Sequence, residues 1–120
     1  MSSNILLIAG SRDFNDYELL CQHMNHVLQK HRIDEIISGG ARGTDSLGER
    51  YAKEHNIPFK LSLANWDLYG KRAGYLRNVE MGKYCKAALI FWDGESKGTQ
   101  HMMNILKAKN KKFVTIKYGG

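Results

Sequence analysis

The feature that most constrains this chain is an alternation. Short apolar runs recur at residues 4–9, 35–38, 59–61, 87–91 and 113–116, and stretches of helical length separate them. A run such as Ile5-Leu6-Leu7-Ile8-Ala9 has no polar partner at every second position, so it reads as a strand covered on both faces. Strands of that kind are joined by crossover helices, and right-handed crossovers lead to a parallel α/β sheet. The first, fourth and fifth runs read as fully buried strands.

The intervening stretches carry helical periodicity. Residues 16–31 place Leu20, Met24, Val27 and His31 on one face, with Asn15 and Glu18 as a capping arrangement. Residues 45–55, capped by Thr44, turn Leu47, Tyr51 and Ala52 inward. Two more helices fit residues 72–84 and 99–109, the latter with Met102, Met103 and Leu106 inward, a stripe that reads as core. The whole predicts a Rossmann-like, doubly wound parallel sheet of five strands in the order 3-2-1-4-5, with helices on both faces. At 120 residues, one core and one domain spanning 1–120 are expected.

Several classes of function are excluded by what is missing. No apolar run approaches the ~20 residues that cross a bilayer, and no basic leader precedes the first strand, so a soluble, cytoplasmic protein is expected. Cys21 and Cys85 lack ligand-like spacing and read as two reduced thiols. His23 and His26 stand at i,i+3 without a third ligand nearby, so no metal is expected. Neither G-x-G-x-x-G after the first strand nor G-x-x-x-x-G-K-[ST] occurs, which removes dinucleotide redox and ATPase readings and leaves no cofactor expected. The net charge of +6 arises wholly after residue 95, where six lysines meet no acid. Lys107, Lys109, Lys111 and Lys112 read as a solvated helix end, with single-stranded nucleic acid as the alternative partner.

Ligands of doubly wound sheets lie beyond the carboxyl ends of the strands, which singles out four loops. The first holds Gly10, Ser11 and Arg12, a tight turn with a guanidinium suited to phosphate. The second, Ser38-Gly39-Gly40-Ala41-Arg42-Gly43-Thr44-Asp45, feeds a helix start, where free N–H groups favour anions and Thr44 or Asp45 can meet a ribose hydroxyl. The third offers Trp66 for stacking on a base and Arg72 for phosphate, and Arg77, Asn78 and Glu80 follow on the next helix. Arg77 and Glu80 are also spaced for an i,i+3 ion pair. The fourth runs from Trp92 to Lys97, Gly98 and Thr99, a second helix start that reads as a phosphate cradle.

Taken in order, Gly10-Ser11-Arg12-Asp13-Phe14, then residues 38–45, then Trp66 with Gly70, Gly74, Arg77, Asn78 and Met81, then Lys97-Gly98-Thr99, resemble the YspA-like branch of the SLOG superfamily. The resemblance spans nearly the whole chain. It implies a SLOG-type domain with a nucleotide or nucleotide-derived ligand to sense, sequester or process, and leaves the reaction open. Related LOG enzymes cleave a nucleoside monophosphate through an arginine in an R-K-x-x-M-like helix and a glutamate in a P-G-G-x-G-T-x-x-E loop. Arg77, Asn78 and Met81 match the first in part; in the second, Gly98-Thr99 remain and Met102 replaces the glutamate. The enzyme alternative is therefore phosphoribohydrolase-like cleavage using Arg77 and Glu80, with Asp45 or Asp93 as substitute carboxylates. DprA, a DNA-binding relative, keeps the nucleic-acid alternative open, and the frequent dimers among related domains make a homodimer an expectation.

Overall fold

The computed structural model describes residues 4–40 and 42–118. Five strands, β1 (Ile5–Gly10), β2 (Glu35–Ser38), β3 (Phe59–Leu61), β4 (Ala87–Trp92) and β5 (Lys112–Lys117), form one sheet in the order β3-β2-β1-β4-β5. Every pairing is parallel, with Leu7 beside Ile37 on one side and Ala88 on the other. This is the predicted doubly wound order. The chain leaves β1 for β2 and β3 in one direction and returns across it to β4, which opens a crevice at the carboxyl ends of β1 and β4.

The apolar runs work as the alternation predicts, because successive side chains of a strand enter opposite layers. Leu6, Ile8, Ile36, Leu89 and Phe91 pack with Leu20, Met24 and Tyr51 from α1 (Tyr17–Lys30) and α2 (Thr44–Glu54). Leu7, Ala9, Ile37, Ala88 and Ile90 face the other way, onto Met81 of α4 (Ala73–Tyr84) and Met102, Met103 and Leu106 of α5 (Lys97–Ala108). Between β3 and α4 lie a four-residue helix, α3 (Trp66–Tyr69), and a 3₁₀ turn over Gly70–Arg72, where the sequence suggests only a loop. Asn65 starts α3 by accepting a hydrogen bond from Leu68 N–H at 3.1 Å.

Three local expectations change. The cap of α1 is Asp16, whose carboxylate accepts from Leu19 N–H at 3.1 Å, and the helix stops at Lys30, leaving His31 exposed. Thr44 lies inside α2 rather than capping it, because its hydroxyl donates to the Ser11 carbonyl at 3.1 Å and Gly43 supplies the turn at φ +71°. β5 is not buried: it is an edge strand, its side chains are exposed or half-buried, and Val114 is 58 % exposed. Composition cannot reveal that only one side of this strand has a neighbour; Lys112 and Lys117 at its ends discourage a further strand from adding. Among the described residues no helix is long and apolar enough to cross a membrane.

Gly10 closes β1 where backbone meets backbone. A Cβ there would stand 2.5 Å from Thr44 Oγ1 and 2.9 Å from the Phe91 carbonyl carbon. Gly98, by contrast, has nothing within 4 Å of that position. Gly10→Ala is therefore expected to cost about 3 kcal/mol or more in urea unfolding, and Gly98→Ala to be neutral or to gain up to ~1 kcal/mol from helix propensity.

Candidate functional site

The site is assembled around Ser11, which is buried at 2 % exposure. Its N–H donates to the Phe91 carbonyl at 2.9 Å, and its own carbonyl accepts from both N–H and hydroxyl of Thr44, at 3.3 and 3.1 Å. Its hydroxyl oxygen accepts from Asp93 N–H at 3.1 Å. One residue thus ties β1 to α2 and to the loop after β4. Gly43 must be a glycine for the same reason, since a Cβ would press on the Ser11 and Arg12 carbonyls. Held this way, the β1 loop projects Arg12 over the crevice.

An open groove of about 700 Å³ lies beside that junction, lined by Arg12, Asp13, Gly39, Gly40, Arg42, Leu63, Ala64, Trp66 and Arg77. Three guanidiniums thus arrive from the β1 loop, the β2 loop and α4. Arg77 is anchored: Nη1 donates to the Gly39 carbonyl at 3.1 Å, and its Nε is buried without a partner. No ion pair among the described residues engages Arg12, Arg42 or Arg77; the three ion pairs present are Arg32–Asp34, Arg50–Glu54 and Lys53–Glu49. The one carboxylate on the groove wall, Asp13, accepts from the Tyr118 hydroxyl at 2.5 Å. Burial, and then that bond, push the Tyr118 phenol up to about 12. Trp66 is 56 % exposed, so a flat face is open at the groove's edge.

Behind Arg12 and Arg77, which line both spaces, lies an inner chamber of about 100 Å³. Gly10, Asp45, Asn78, Ser96, Gly98 and Thr99 surround it, with Met81 and Met102 as its apolar part. Asp45, Asn78 and Thr99 are all buried. Asn78 Nδ2 lies 3.1 Å from His101 Nδ1, and the His101 ring stacks on Tyr75 with centroids 4.5 Å apart. Desolvation lowers the His101 pKa. Ser96 caps α5 by accepting from Thr99 N–H at 3.4 Å, and the Ser96 and Thr99 hydroxyls lie 3.1 Å apart.

Of the residues singled out from sequence, Arg12, Gly39, Gly40, Arg42, Trp66 and Arg77 meet in the groove, and Gly10, Asp45, Asn78, Gly98 and Thr99 in the chamber. Ser11, Gly43 and Thr44 build the junction instead, and Thr44 N–H is already bonded to Ser11. Ala41 of the same loop lies outside the described residues. Arg72, Glu80 and Lys97 are exposed and line neither space. Glu80 forms no ion pair with Arg77. Trp92 donates from Nε1 to the Ser96 carbonyl at 3.1 Å and packs toward the α4–α5 layer. Asp93 holds its own turn by accepting from Glu95 and Ser96 N–H, both at 2.8 Å, and these bonds lower its pKa. In the lysine-rich end, Lys111 donates to the Cys85 carbonyl at 2.6 Å, closing the end of α4.

Sequence reasoning missed Leu63 and Ala64, which reach the groove from the end of β3. The strand-end rule covers that position, but no chemically distinctive residue marks it. Tyr118 was also missed; it lies far along the chain from the Asp13 it holds.

The fold and the crevice define a doubly wound α/β protein with an arginine-lined groove at the carboxyl edge of its sheet. Residues 4–69 match the YspA, cpYpsA-related SLOG family, and the chain belongs to that family. It is also 32 % identical over 121 residues to the gene 61 protein of Mycobacterium phage D29, covering 95 % of each chain. No solved structure gives a significant match. Membership suggests a nucleotide-related ligand, which agrees with the resemblance seen in the loops.

His101 should titrate below the ordinary imidazole value of 6.5. The unfolded chain then binds a proton that the folded chain refuses, so this residue's contribution to stability declines as pH falls through about 6.5. Imidazole NMR titration of wild type and of Asn78→Ala checks the midpoint.

Proposed function

We propose that this chain binds a phosphorylated, nucleotide-derived small molecule, with the phosphate in the arginine groove and the base against Trp66. The observation that carries this reading is the convergence of Arg12, Arg42 and Arg77 on one groove without ion-pair partners among the described residues. Guanidiniums gathered from three segments repel one another, and a phosphate offers the planar, charge-assisted bonds that relieve this. The Gly39-Gly40 turn puts main chain on the groove wall, and an exposed indole adds stacking of about 1–3 kcal/mol per base.

Binding is favoured over hydrolysis because Glu80 lies outside both spaces and Asp93 is engaged in its turn, which leaves Asp45 as the one carboxylate of the three named from sequence that lines either space. Binding of nucleic acid through the lysine-rich end draws less support, since Lys111 is occupied by main-chain carbonyls.

Calorimetric titration with a panel of nucleoside mono- and diphosphates at low salt tests the proposal. At least one member should bind, and Arg42→Ala, a surface change, should weaken it about tenfold or more. A panel without binders, or an Arg42→Ala protein that binds as wild type does, would overturn it.

A further inference from the structure

We infer that Arg77 is a two-position arginine: the Gly39 carbonyl holds it in a resting state, and an anion draws it off that carbonyl so that its paired donors meet the ligand. The inference rests on the phosphate site proposed in the groove and concerns how that site is switched on.

The resting state leaves the better edge of the guanidinium unused. Nη1 donates to the Gly39 carbonyl at 3.1 Å. The other edge carries Nε and Nη2, whose N–H bonds run parallel and match two oxygens of one phosphate. Nε is buried and has no hydrogen-bond partner among the described residues. Burial closes it to a ligand in this position, and the missing partner makes the position costly to hold. An N–H that serves the frame is bonded within it, as that of the Trp92 indole is to the Ser96 carbonyl. Arg77 is held instead by one bond to a neutral acceptor, and a phosphate competes with that acceptor through stronger, charge-assisted bonds.

The surroundings permit the movement. Arg77 borders both the groove of about 700 Å³ and the chamber of about 100 Å³, so open space adjoins its side chain in two places. No ion pair among the described residues restrains it. Its seat depends on a missing side chain, because a Cβ on Gly39 would stand 3.1 Å from Cζ and Nη1 of Arg77 and 3.2 Å from Nε. Those are the three atoms nearest to that position. Gly39 also lies outside the left-handed region, unlike Gly40 at φ +76°, so its backbone accepts alanine and the added methyl presses on the guanidinium.

Gly39→Ala therefore displaces Arg77 without removing it, and the sign of its effect separates a movable arginine from a fixed one. If the seat must be left before binding, a displaced arginine binds phosphate more tightly; if Arg77 works from its seat, displacement weakens binding.

NMR titration of the full chain with inorganic phosphate, following the Arg77 Nε–H group, tests this. In wild type, a nuclear Overhauser contact between that proton and the Gly39 α-protons should be present without phosphate and lost at saturation. Gly39→Ala should bind phosphate about threefold more tightly, and Arg77→Lys, which keeps the charge without the paired donors, about tenfold more weakly. Unchanged or weaker binding by Gly39→Ala, a contact that persists at saturation, or full affinity in Arg77→Lys would overturn the two-position arginine and leave the phosphate groove standing. Should Gly39→Ala fail to fold, the wild-type contact and Arg77→Lys decide. Failure of wild type to bind phosphate would overturn the groove and this inference together.

Discussion

The closeness with which the β1 loop approaches its neighbours governs this structure. Gly10 has no room for a Cβ between β4 and α2, and Ser11 then bonds to Phe91 of β4, Thr44 of α2 and Asp93 of the loop after β4. Buried polar groups must be bonded or they cost about 1–3 kcal/mol each. Four bonds through one residue therefore set where α2 begins and where the loop after β4 turns. Arg12 follows directly, and its direction is inherited from that junction rather than chosen by its own contacts.

The two spaces beyond the junction share Arg12 and Arg77. Of the charged side chains, Asp13 and Arg42 line only the larger space and Asp45 only the smaller one. Arg77 stands on the boundary, and its bond to the Gly39 carbonyl couples α4 to the glycine turn that walls the groove.

The sheet edge contributes through Tyr118, the residue that follows β5. Tyr118 packs on Phe14 with ring centroids 4.7 Å apart, and Phe14 stacks on Phe91 at 4.6 Å. The Tyr118 hydroxyl engages Asp13, which keeps the carboxylate on the groove wall bonded to a neutral partner beside the arginines. The exposed edge of the sheet thereby braces the loop after β1, although little of β5 enters the core.

Sequence alone determined the architecture, because local rules decide it: doubly apolar runs make buried parallel strands, and crossover handedness leaves few orders for five of them. Glycines with basic residues at strand ends likewise marked most groove and chamber residues before any coordinate. Tertiary structure decided which of those residues line the groove or the chamber and which hold the frame. Ser11, Thr44 and Trp92 look like ligand groups in one dimension, yet their polar atoms are used up on partners that the fold brings near. Glu80 and Lys97 sit in the right motifs but point elsewhere, since a helix turns each residue by about 100° and its packing sets the phase. The exposure of β5, the reach of Leu63 and the grip of Tyr118 on Asp13 depend on neighbours far along the chain, which no local pattern encodes.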